Sequence, residues 1–116
     1  MMAALPCVRA ADVLSIRDAL ATRAPAQPIR NVIRAASAIS GIPESELLDD
    51  NRAAHLSWVR FAIMAACQRY ASYSAIGRVM GRDHSTIIHG VKRALTLGKS
   101  DPAFATFVSM LEAANG

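Results

Sequence analysis

Apolar residues recur along the chain at spacings of three and four, the period of an α-helix with one buried face. Val13, Ile16 and Leu20 mark such a face over residues 9–23, and Ile29, Val32, Ile33, Ala36 and Ile39 mark a second over 28–40. Gly41 follows, the residue type that closes a helix in the left-handed region. Residues 44–48 allow at most one helical turn. Leu56, Val59, Ile63, Ala66 and Tyr70 predict a long helix over about 52–70. Ser72 or Ser74 can cap a fourth helix running to Met80, and Asp83 a fifth running to about Leu97, before Gly98. Phe104, Phe107, Val108 and Leu111 predict a last helix over about 102–114. Pro6, Pro25, Pro28, Pro43 and Pro102 fall between these stretches. No segment alternates with period two, so the pattern predicts an all-α fold, a compact bundle of five or six helices with no sheet. The expected organisation is an N-terminal helix and linker over 1–27, a helical domain over 28–98, and a C-terminal helix over 99–116.

The segment Tyr73 to Gly90 has the spacing of a helix-turn-helix. Two helices joined by a very short turn must cross steeply, so the first needs a small residue at the crossing and the turn needs one tolerant of positive φ. Gly77 and Gly81 are those residues. Ile76 and Met80 from the first helix, and Ile87 and Val91 from the second, are expected to lock the pair. The other face of the second helix then carries His84, Ser85, His89, Lys92 and Thr96, all polar. Such a face suits the major groove of DNA. An ordinary helical hairpin in a bundle is the plainer alternative.

Charge sharpens the picture. The net charge is +4, but residues 1–59 balance six arginines against six acids. Residues 60–99 carry Arg60, Arg69, Arg78, Arg82, Lys92, Arg93 and Lys99 against Asp83 alone, and two acids follow. A basic block confined to one part of a domain is what a phosphate-binding surface needs, although a solvated basic face without a partner has the same composition.

The run Gly81-Arg82-Asp83-His84-Ser85-Thr86-Ile87-Ile88-His89-Gly90-Val91-Lys92-Arg93 resembles the C-terminal DNA-binding domain of the bacterial DnaA replication initiators. Ser72 to Gly77 is similar to the family's first motif helix, Arg60 to Ala66 to part of the preceding helix, and Ile29 to Leu48 to its opening helix and turn. Val13 to Ala24 resembles the helix that links this domain to the family's ATPase domain. The likeness spans about residues 13–98 and is most specific over 76–93. It implies that Asp83, His84, Ser85 and Thr86 address base edges, that Ile88 touches a thymine methyl, and that Arg82 lies near the phosphate backbone. Short hydroxyls and an imidazole at a helix start can exchange hydrogen bonds with base edges, and an aspartate can accept from a cytosine amino group. With the basic block, the expected phosphate-facing set is Arg60, Ser74, Arg78, Arg82, His89, Lys92 and Arg93. Asp83 could equally serve only as a cap, and His84 only as a phosphate contact.

Two departures stand out. Met80 precedes a single Gly81 where the family has two glycines. The family's basic loop is replaced by Asp49-Asp50-Asn51-Arg52-Ala53-Ala54-His55, leaving Arg52 as the one candidate for the minor groove, beside two acids.

Other chemistries find little support. No glycine-rich phosphate loop ending in Lys-Ser or Lys-Thr is present, and the length leaves no room for an ATPase domain. The reading is a stand-alone relative of the DNA-binding module, with Met1-Met2 and the extra N-terminal helix suggesting a complete small protein. Asp83-His84-Ser85 are consecutive, which is not how a catalytic triad is assembled. His84 and His89 lie about 500° apart around a helix and share no face for a metal. Cys7 and Cys67 have no paired spacing. No catalysis, metal, cofactor or small-molecule substrate is expected. The first residues lack a secretory pattern, and the apolar run Phe61 to Cys67 is too short to span a bilayer, so the expectation is a cytoplasmic protein with no membrane partner. The expected partner is double-stranded DNA, bound sequence-specifically in replication initiation or its regulation. The alternatives are a transcriptional regulator with the same motif, and a protein-interaction module docking on a replication or transcription protein through its first helix and the Phe104/Phe107 helix.

Overall fold

The computed structural model describes residues 26–115. The helix expected over 9–23 and Cys7 lie outside them. The described residues form six α-helices and no strand: α1 over 26–40, α2 Glu44–Leu47, α3 Ala54–Cys67, α4 Tyr73–Met80, α5 His84–Ser100 and α6 Pro102–Glu112, with a short 3₁₀ turn Ala113–Asn115.

The apolar stripes meet in one core. Ile29, Val32 and Ile33 of α1, Leu47 of α2, Leu56 and Ile63 of α3, Ile76 and Met80 of α4, Ile87 of α5, and Phe104 and Leu111 of α6 are all buried. Each such side chain contributes roughly 1.5–3 kcal/mol relative to exposure. α3 is the central rod, packing against α2, α5 and α6, while α4 and α6 each pack on α5. The chain end is tied back to α1: Asn31 Nδ2 donates to Asn115 Oδ1 at 2.7 Å, and Asn115 Nδ2 to the Pro28 carbonyl at 3.0 Å.

The start of α3, the end of α5 and one expected core position differ from expectation. α3 begins at Ala54, not 52, because Asn51 and Ala53 are held in side-chain turns: their N–H groups donate to Asp49 Oδ1 and Asn51 Oδ1, each at 2.9 Å. α5 runs through Gly98 to Ser100. It ends where Asp101 takes an extended conformation and caps α6, accepting from the N–H groups of Ala103 and Phe104 ahead of Pro102 at the first turn. Ile39, expected on the buried stripe of α1, is 45% exposed, since the helix is closing at Gly41 with φ 76°.

The α3–α6 contact is aromatic. Trp58 stacks on Phe107 with centroids 5.4 Å apart and meets the edge of Phe104 at 5.2 Å. Its indole N–H donates to Asp101 Oδ2 at 3.3 Å.

Candidate nucleic-acid interface

The site starts from a turn that two glycines make possible. Ser72 settles the cap of α4, its hydroxyl accepting from the Ala75 N–H at 3.1 Å, while Ser74 lies exposed. At the other end Gly81 adopts φ 71°. The Gly77 carbonyl accepts from the N–H groups of both Gly81 and Arg82, the latter at 2.8 Å. That tight wrap brings the Arg82 carbonyl against Gly77: a Cβ there would stand 2.4 Å from it. Gly77 therefore makes room for the turn itself, at Arg82, two residues before α5 begins.

α5 starts cleanly at His84. Asp83 takes an extended conformation and its carboxylate accepts from the Ser85 N–H at 3.1 Å. This hydrogen bond is the main reason its pKa lies below the ordinary carboxylate value. His84 Nδ1 lies 3.7 Å from the other carboxylate oxygen. Ile87, Val91 and Ala94 are buried against the core, and Gly90 lets α5 approach Met64 and Phe61 of α3 closely. His84, Ser85, Thr86, His89, Lys92, Arg93 and Thr96 face outward, and Ile88 is half-buried at their edge. The N–H groups of this turn are engaged by Asp83, whose carboxylate accepts from Ser85 and whose carbonyl accepts from Thr86 and Ile87, so the exposed imidazole and hydroxyls are the groups left to meet base edges.

The bacterial DnaA protein helix-turn-helix family matches residues 29–94, from α1 through most of α5. The chain belongs to this family. It is 37% identical over 70 residues to the chromosomal replication initiator protein DnaA of Lachnoclostridium phytofermentans, covering 58% of this chain and 16% of that protein. It is 32% identical over 93 residues to the DnaA proteins of Acinetobacter baumannii and Acinetobacter baylyi, covering 78% of this chain and 20% of each. The chain thus spans a fifth or less of the length of these relatives.

Within this DnaA-type domain the expected site residues divide. Asp83, His84, Ser85 and Thr86 are brought together at one helix start. Arg78, on the outer side of α4, lines a cleft with Arg30 and Arg34 of α1. Lys92 and Arg93 lie further along the outer face of α5.

Arg60 corrects the expected phosphate set. Its side chain is only 6% exposed. Nε donates to the Leu47 carbonyl at 2.8 Å, Nη2 to the carbonyls of Glu46 at 2.7 Å and Asp49 at 3.0 Å, and Nη1 to the Asn51 carbonyl. Nη2 also pairs with Asp49 Oδ1 at 3.0 Å. A buried guanidinium engaged through all three nitrogens inside the fold is turned away from any phosphate. The signal was in the spacing, because Arg60 follows Leu56 by four and precedes Ile63 by three, inside the buried stripe.

Arg82 is half-buried and also turned inward. Nη1 donates to the carbonyls of Met80 at 2.7 Å and Leu48 at 3.1 Å, and Nη2 to that of Asp49. Burial, reinforced by the nearby Arg60 charge, lowers its pKa from the ordinary arginine value, against the pull of Asp50 and Asp49. Arg52 is exposed, and with Thr86, Gly81 and Arg82 it lines a cleft of about 410 Å³ between the loop and the start of α5.

Burial pushes the Cys67 thiol up to about 12, so it is not a nucleophile at neutral pH. Among the described residues, no three His, Cys, Asp or Glu side chains converge on a metal-sized site, and no helix is long and apolar enough to cross a membrane.

Proposed function

We propose that this protein binds double-stranded DNA sequence-specifically, with the start of α5 in the major groove, and acts in replication initiation or its regulation. One observation carries the reading. His84, Ser85 and Thr86 stand exposed on the first turn of α5, while Ile87, Val91 and Ala94 behind them are buried. A recognition helix needs that division, with its N-terminal side chains free to reach base edges. The replication setting rests on family membership and on relatives named as chromosomal replication initiators. In this reading Asp83, His84, Ser85, Thr86 and Ile88 address bases. Ser74, Arg78, Arg82, His89, Lys92 and Arg93 serve the phosphates, Arg82 only in part because its donors are shared with carbonyls. Arg52 approaches the minor groove.

The test is selection of duplexes from a random pool, followed by titration of His84→Ala and Thr86→Ala. Each variant should fold and lose about 1–3 kcal/mol on the selected duplex, with far smaller changes on unrelated ones. Equal losses on both would remove these residues from base reading. Failure to enrich any sequence would remove sequence-specific binding altogether.

A further inference from the structure

We propose that Arg82, with Arg60 behind it, is a positioning residue that clamps the 48–53 loop as a preformed second reading element, fixing Arg52 in register with Thr86. The inference rests on the DNA-binding reading above and concerns how the site is built. Arg82 reaches from the turn of the helix-turn-helix across to the loop, donating to Leu48 and Asp49 while holding its own turn through Met80. Arg60 takes the same loop from inside, through the carbonyls of Glu46, Leu47, Asp49 and Asn51. Both guanidinium groups meet at the Asp49 carbonyl. The loop adds its own side-chain turns at Asp49 and Asn51. Every backbone link between the turn before α5 and the loop that carries Arg52 therefore runs through an arginine fork, which a lysine ammonium cannot reproduce.

The clamp also accounts for one of the two acids beside Arg52. The Asp49 carboxylate is committed to Arg60 at 3.0 Å and to the Asn51 N–H at 2.9 Å. It is part of the loop's scaffold, and its charge is countered from within. Arg52 is exposed, on the cleft that Thr86 and Asp50 also line. A long arginine on a fixed loop loses less freedom on entering a groove than one on a loop that must first be ordered.

Arg82→Lys is the informative variant, because it keeps the charge and sits where solvent is near. Arg60 is buried, so its variants put the fold at risk. Four proteins are compared: unaltered, Arg52→Ala, Arg82→Lys and the double variant. Each is titrated with the selected duplex and with one whose A·T flank is replaced by G·C. Under the clamp, Arg52→Ala and Arg82→Lys each lose about tenfold on the A·T-flanked duplex and little on the other, and the double variant loses no more than either single. Amide exchange at Asn51 and Ala53 speeds up in Arg82→Lys. Multiplying losses in the double variant, or an Arg82→Lys loss equal on both duplexes, would make Arg82 a plain phosphate contact and overturn the clamp alone. Unchanged amide exchange would overturn it as well. No binding of any duplex by the unaltered protein would overturn the DNA-binding reading and this inference together.

Discussion

At Gly77 the obstacle to any side chain is backbone. The atom 2.4 Å from an added Cβ is the Arg82 carbonyl oxygen, and the next nearest are the carbonyl carbons of Arg82 and Asp83. No rotamer change relieves that contact, so even Gly77→Ala must open the turn. The expected cost is about 1–3 kcal/mol from overpacking, read as a lower midpoint in thermal or urea unfolding. Gly77 was legible in the sequence because the motif's geometry demands a small residue at that spacing. Arg60 was not, because a charge in a basic block suggests phosphate before it suggests a core. Its burial follows from position on α3, and its stability contribution from the carbonyls it satisfies. Arg60→Ala strands several of them and should cost on the order of 1.5–3 kcal/mol or more, while surface Arg93→Ala should leave unfolding unchanged within about 0.5 kcal/mol.

At the scale of the element, α5 depends on how it begins. The Asp83 carboxylate accepts from the Ser85 N–H, which depresses its pKa in the folded protein. A depressed carboxylate stabilises the fold above its unfolded value of roughly 4, and that contribution is lost as pH falls through the lower folded value. Asp83→Asn retains a capping acceptor without the titration. The melting-temperature gap between the two proteins should therefore narrow between about pH 6 and about pH 3. A constant gap would mean the charge contributes nothing to the cap. Where elements were legible, a cap or a left-handed glycine marked the end: Gly41, Ser72, Gly81 and Asp83 all sit where their chemistry predicts. The end of α5 was not legible, because Gly98 resembles a stop. Gly98 stays helical, and the end falls at Asp101, which takes an extended conformation and caps α6. The start of α3 was hidden for a similar reason, since the Asp49 and Asn51 turns use side chains that no apolar period reports.

For the whole molecule, the outward cations define what a duplex can meet. With Arg60 set aside, the cations of the proposed phosphate set are Arg78, Lys92 and Arg93, and Arg82 in part, since its donors are shared with carbonyls. If three or four of them neutralise phosphates, binding should weaken with salt with a log–log slope of about −2.7 to −3.6, at roughly 0.9 per phosphate. Fluorescence anisotropy across a salt series measures it, and a flat dependence would speak against a DNA-facing role for this surface. The helical fold was legible because one period runs through every long stretch. The division of labour among the arginines was not, because it depends on which side of α3 and of the turn each one falls.

Trp58 gives the fold a built-in optical gauge. It is the chain's one tryptophan, set between Phe104 and Phe107 and hydrogen-bonded to the residue that caps α6. Its emission therefore reports whether α6 is seated, whereas far-ultraviolet circular dichroism reports helix content throughout. If α6 belongs to the same cooperative unit as the helix-turn-helix, the two signals melt together. If they separate, the aromatic seam is a unit of stability with its own midpoint, and α6 can be loosened while the helix-turn-helix holds.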